Sequence, residues 1–197
     1  MSMRRQTGSE GEPSDEDLAR RCVHEGDEQA FAELVFRYQN AILRLTTRFT
    51  ANPEDAEDLA LDTFVRAWER RRQYDLGRPF RPWLYQVGTH LCLNWLEARR
   101  ARGGGGSVSL DALGDFVGSG SPERLVGQRL EEETVLATLE TMPDATRAAI
   151  TLRFLEGLTF QEIATILRLP LPTVASRVRR GLAELRHRLE TLGIDGA

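Results

Sequence analysis

Between Glu28 and Phe49 the apolar side chains Phe31, Leu34, Val35, Tyr38, Ile42, Leu45 and Phe49 recur every three or four residues, with polar residues between them. That period puts them on one face of a helix. Ser14 followed by Asp17 has the layout of a capping box with Asp in place of Glu, so an earlier helix is expected to begin there. Asn52-Pro53 interrupts the pattern, and Pro53 suits the first turn of a further helix running to about Arg71. Its apolar stripe is Leu59, Ala60, Phe64, Ala67 and Trp68. Tyr74 to Arg78 reads as a loop with Gly77 at its turn. A helix then follows Pro82, placing Trp83, Leu84, Val87, Leu91 and Trp95 inward and ending at Arg99, Arg100 and Arg102.

The pattern stops abruptly at Gly103–Gly106, and polar, Gly-rich sequence continues to about Ser121. A stretch of that kind is unusual inside a compact domain and reads as a flexible linker. Helical patterning resumes from Pro122 to Leu139, from Pro143 to Leu155 and from Thr159 to Leu167, with Gly157 as a stop. A turn over Arg168–Leu171 leads to a last helix from about Thr173 to Leu189, with Val174, Val178 and Leu182 inward. No run alternates with the period of a strand. The fold class expected is all-α: two small helical domains on a flexible Gly-rich linker. The divisions are a disordered tail over 1–14, a domain over 15–102, the linker over 103–121 and a second domain over 122–192.

Composition narrows the function. The chain has 197 residues, 41% hydrophobic and 28% charged, an ordinary water-soluble balance. No apolar run is long enough to span a bilayer, and no apolar stretch follows Arg4 and Arg5, so no membrane insertion or secretory signal is expected and the cytoplasm is the expected compartment. Cys22 and Cys92 lie far apart and His24, His90 and His187 are scattered. No metal, cofactor or catalytic constellation is expected, and the protein is not expected to be an enzyme. The net charge is −4, but every basic side chain counted in that sum is arginine, and the arginines are clustered. For a nucleic-acid binder the distribution matters more than the sum.

Residues 159–187 have the layout of a helix-turn-helix, whose second helix enters the major groove of DNA. From Pro172 to Arg188 five arginines (Arg177, Arg179, Arg180, Arg186, Arg188) accompany one acid, Glu184. Arginine forks onto guanine or onto phosphate. In the first half, Asp55, Asp58 and Asp62 share a helix face, which suits either a solvated surface or a dock for a basic protein. Residues 78–102 carry five arginines and one acid, interleaved with Phe80, Trp83, Tyr85 and Trp95. Arginine with aromatic rings is a combination that grips single strands. Trp83 and Trp95 also lie at core spacing.

In this order the segments resemble the extracytoplasmic-function (ECF) group of the sigma-70 family. EDAEDLALDTFVRAWE (54–69) resembles its region 2.2, GRPFRPWLYQVGTHLCLNWLEARRAR (77–102) its regions 2.3 and 2.4, and residues 141–189 its region 4. The resemblance implies a transcription initiation factor that brings core RNA polymerase to promoters. It implies docking through Asp55, Asp58 and Asp62 on the clamp helices of the largest polymerase subunit. It further implies capture of a melted −10 element near Tyr74, Arg78, Phe80, Trp83, His90, Asn94, Arg99 and Arg100. A duplex −35 element would be read by Thr173, Ala175, Ser176, Arg177, Arg179 and Arg180, and an anti-sigma factor is an expected further partner. His90, Asn94, Pro172, Ala175 and Arg179 depart from residues common in the family, so the promoter sequence is expected to be the chain's own. A conventional dimeric helix-turn-helix regulator is the rival, but it leaves the first block without a task.

Overall fold

The structure, a computed structural model, describes residues 12–50, 52–103, 135, 137–139 and 141–191. Most of the expected tail and linker, and much of the expected helix over 122–139, lie outside the described residues.

The first unit has four helices. In α1 (Asp15–Glu25), Ser14 Oγ accepts from the backbone N–H of Asp17. The helix ends at Gly26, whose φ of 65° is one that glycine adopts without a Cβ clash. In α2 (Glu28–Thr47), the Asp27 carboxylate accepts from the N–H groups of Gln29 and Ala30. In α3 (Pro53–Glu69), Asn52 caps the helix and Pro53 sits where its missing N–H costs nothing. A short 3-10 turn, Arg71–Gln73, leads to the loop before α4 (Phe80–Ala101). That helix starts at Phe80, ahead of the expected Pro82. Pro82 falls in its first turn, where no N–H donor is needed.

Leu34, Ile42, Leu45, Leu84 and Tyr85 fill the centre of this unit. Gly88 lets α4 approach α2 and α3 closely: a Cβ there would lie 3.3 Å from Leu45 Cδ2 and from Thr63 Cγ2.

Among the described residues the second unit starts with helical Val135 and Ala137–Leu139 and continues through α5 (Asp144–Ile150), which runs into a π-helical segment, Thr151–Leu155. Then come α6 (Phe160–Leu167) and α7 (Leu171–Thr191). Thr159 and Glu162 cap α6 reciprocally. The turn between α6 and α7 spans Arg168 to Pro170, and α7 begins two residues before the expected Thr173.

The inward face of α7 is Val174, Val178, Gly181 and Leu185; Leu182, expected inward, is exposed. A strict four-residue spacing drifts off a 3.6-residue helix, and by its second step, at Leu182, it has left the core face. Gly181 takes the contact instead, with Ile150 Cδ1 only 2.4 Å from where a Cβ would stand.

The two units are packed together rather than held apart. Residues of α4, α5, the π-helical segment and α6 share one apolar core, and Cys92 lies wholly inside it.

Candidate nucleic-acid interface

On α7 the side chains of Ala175, Arg179 and Arg180 are exposed, whereas Thr173, Ser176 and Arg177 are half-buried. Ser176 Oγ donates to the Thr173 carbonyl at 2.9 Å, which ties that hydroxyl to its own helix. Arg180 Nε donates to the Ser176 carbonyl at 3.3 Å, so its guanidinium lies along the exposed face. Arg188 pairs loosely with Glu184 at 3.7 Å. Arg179 and Arg186 share a flank with Ala175. Together with Arg153 they rim a cleft of about 490 Å³ whose apolar wall includes Phe154, Phe160 and Leu182.

The loop before α4 is built from within. Tyr74 is 5% exposed and Phe80 is 3% exposed. Their rings meet edge to face at 5.7 Å, and each touches Trp83, at 5.1 and 5.6 Å. Tyr74 donates its hydroxyl to the Arg78 carbonyl, and Phe80 donates its N–H to Glu16 at 3.2 Å. Burial, reinforced by Glu16, pushes the Tyr74 phenol up to about 12.

Both rings are almost wholly buried, with Tyr74 at the wall of a cleft. Expected among the strand-contacting residues, Tyr74 and Phe80 instead form the apolar floor that holds the loop in shape, because an aromatic between two packed helices gains more by burial than by exposure.

Trp83 is half-buried and lines a cleft of about 450 Å³ with Asp75 and Arg78. Arg78 is exposed and pairs with Asp75 at 3.1 Å. Further along α4, His90 is half-buried and its Nε2 lies 2.8 Å from the Ile166 carbonyl. Burial holds its imidazole below the usual histidine range, with Arg168 and Arg70 adding to the effect. Asn94 is exposed. The Arg99 guanidinium lies 5.1 Å over the Trp95 ring, within cation–π range. Arg100 is engaged by Asp144 through two bonds of 2.5 Å. Trp83, His90, Asn94, Arg99 and Arg100 thus follow one another along a single helix.

The acidic face of α3 carries a feature that the sequence reading passed over. Asp58 and Asp62 are exposed and Asp55 is half-buried. Beside them Leu61 is 65% exposed and Val65 47% exposed. Exposed apolar side chains that group together mark interaction surfaces, and this pair was findable as two apolar residues outside the core stripe of α3. Among the described residues no group of His, Cys, Asp and Glu is placed to hold a metal ion. Both cysteines are buried and free, and desolvation pushes their thiols up, Cys22 to about 11 and Cys92 to about 12.

The sigma-70 region 2 family matches residues 34–102, and the sigma-70 region 4 family matches residues 132–185. The RNA polymerase sigma-H factor of Pseudomonas aeruginosa is 34% identical over 184 residues, covering 90% of this chain and 95% of that protein. This chain belongs to the sigma-70 family. It is a promoter-specific transcription initiation factor. A further relative of this sigma factor is the ECF RNA polymerase sigma factor SigW of Bacillus subtilis, 32% identical and covering 86% of this chain and 94% of its own length. The solved structure of CnrH in complex with the cytosolic domain of CnrY superimposes with a TM-score of 0.69 at 28% identity, over 91% of this chain and 99% of CnrH. The first unit of the sigma factor is therefore its region 2 and the second its region 4.

Proposed function

We propose that this sigma factor docks on the core RNA polymerase largest subunit through the α3 face. In this reading α4 holds the melted −10 strand and α7 reads the −35 duplex. The observation that carries it is the pairing, in one chain, of an arginine-edged helix-turn-helix with an arginine–aromatic strip on α4. One suits duplex DNA and the other a single strand.

On α7, Arg179 and Arg180 are the base readers, with Ala175 and Ser176 shaping the approach. Thr173 and Arg177 sit at its half-buried flank and face the backbone. On α4, Trp83, His90 and Asn94 meet the strand and Arg99 and Arg100 meet phosphates, as does Arg78 of the preceding loop, while Tyr74 and Phe80 keep that loop rigid beneath them. Docking rests on Asp55, Asp58 and Asp62 together with Leu61 and Val65, acids for attraction and apolar side chains for burial.

The chain supplies specificity and no catalysis of its own; phosphodiester synthesis belongs to the polymerase. Two weak DNA grips gain from being held together on one scaffold, which is why polymerase is needed for tight promoter binding. An anti-sigma factor is an expected partner, in keeping with CnrH, whose solved structure holds the cytosolic domain of another protein. The cytoplasm, where the polymerase works, is the compartment. No described helix is long and apolar enough to cross a membrane.

The division of labour on α7 is tested by promoter selection with holoenzyme. Arg179→Ala and Arg180→Ala each change the preferred −35 bases. Arg186→Ala and Arg188→Ala weaken all promoters alike and flatten the salt dependence by about one unit of slope each. Equal effects from all four would contradict the division.

A further inference from the structure

The helix that carries the arginine–aromatic strip has no cap of its own. The first turn of any helix leaves N–H groups without an intrahelical partner. Pro79, which precedes α4, offers no side chain that could accept from them. An acceptor comes instead from a distant part of the chain: Glu16 of α1, 64 positions away, takes the Phe80 N–H at 3.2 Å. A carboxylate at a helix N-terminus also meets the positive end of the helix dipole.

Asp15, one residue earlier, grips the same place from the side. It accepts from the Tyr38 hydroxyl and pairs with Arg37 at 2.9 Å. The Tyr38 ring in turn meets the edge of the Phe80 ring, with centroids 5.9 Å apart. Arg37 also donates to the Pro13 carbonyl and to Glu33, each at 2.9 Å, so the start of α1 is fastened to α2. An acidic first turn suits the dipole of α1 itself. That accounts for Asp17, which is exposed and bonds to Ser14 and Arg20. It does not account for Glu16, which is half-buried and reaches across to α4.

Phe80 is where the two grips meet. Its ring touches Tyr74 at 5.7 Å and Trp83 at 5.6 Å, and Tyr74 holds the far side of the loop through the Arg78 carbonyl. The charge of Glu16 is felt at Tyr74 too, adding to burial in pushing its phenol up. The rear of the cleft edged by Tyr74, Asp75, Arg78 and Trp83 is thus braced by α1.

We propose that Glu16, supported by Asp15, is a positioning residue for recognition of the −10 strand: it fixes the start of α4, and with it the loop over residues 74–79 and the Trp83 ring, in the geometry that selects among bases. This rests on the reading of α4 as the −10 grip. The α1 helix need not touch the strand to govern how it is read.

The test uses full-length variants bound to bacterial core RNA polymerase and the promoter that the unaltered holoenzyme transcribes best from a genomic fragment library. Open-complex formation is measured on that promoter and on its single-base substitutions at −10 and at −35. The variants are Glu16→Ala, Glu16→Gln, Asp17→Ala and Trp83→Ala. Glutamine keeps a carbonyl oxygen for the Phe80 N–H. Asp17→Ala removes a charge from the same turn of α1 without touching α4.

Glu16→Ala is expected to lower discrimination at −10 by about tenfold, the scale of one hydrogen bond to a charged group, with −35 discrimination and polymerase affinity within about twofold of the parent. Glu16→Gln restores most of the loss, and Asp17→Ala leaves −10 discrimination unchanged. Full −10 discrimination in Glu16→Ala when Trp83→Ala loses it overturns the positioning role and leaves the −10 reading standing. So do equal losses at −10 and −35, an equal loss in Asp17→Ala, or no recovery in Glu16→Gln. Full −10 discrimination in Trp83→Ala overturns both.

Discussion

Arg168 sits in the helix-turn-helix turn at φ 53°, the one non-glycine residue with positive φ among those described. An L-residue with a Cβ pays for that conformation, and the Arg168 side chain is exposed. Arg168→Gly is therefore expected to stabilise the fold by roughly 0.5–1 kcal/mol, read from a denaturant midpoint at unchanged slope. A loss of stability would mean that the guanidinium contributes more than the strain costs. A turn is legible here in the sequence but its handedness is not, because arginine is not a residue that signals left-handed backbone.

His90 gives the fold a dependence on pH. Its imidazole is held below the usual value of 6.5, chiefly by burial against α6. The folded form therefore binds a proton less readily than the unfolded one. Its contribution is fully present above about pH 6.5 and is lost as pH falls through the lowered value. Stability in a denaturant melt is expected to fall as pH drops below about 6.5, and His90→Phe to remove most of that fall. A fall of the same size in the variant would assign the effect to other groups.

At the scale of elements, α7 and α5 meet where Gly181 leaves room for Ile150. Gly181→Ala places a methyl group 2.4 Å from Ile150 Cδ1 and 3.0 Å from Thr146 Cγ2, and is expected to cost about 1–3 kcal/mol by overpacking. Adding Ile150→Val removes the clashing atom and should return part of that loss in a thermal melt. A neutral Gly181→Ala would mean that the helices shift apart at little cost.

On α3, Asp58→Arg and Leu61→Glu are each expected to weaken polymerase binding at least tenfold while leaving the melt within about 0.5 kcal/mol, since both side chains are exposed. Helix existence and boundaries were largely legible from period, caps and prolines. The errors fell where tertiary contact overrode local pattern. Tyr74 and Phe80 look like stacking rings in sequence, yet their neighbours in space bury them. Leu182 looks like core by spacing, yet Gly181 takes its place against Ile150.

At the scale of the molecule, the arrangement of the two regions was the least legible part. A Gly-rich stretch from Gly103 signals separate units, and nothing local signals that Tyr85 and Glu156, 71 positions apart, meet in a shared core. Such a contact depends on two surfaces folding first, and neither Tyr85 nor Glu156 breaks the helical pattern around it. The family, in contrast, was legible because its two blocks carry separate and ordered signatures.

Whether this chain directs polymerase to promoters is decided by co-purification with bacterial core RNA polymerase followed by transcription of a genomic fragment library. A stable complex is expected, with start sites that occur only when the chain is present, share −10 and −35 elements and are lost with Leu61→Glu. Failure to bind polymerase, together with tight dimeric binding to palindromic duplex DNA, would contradict it.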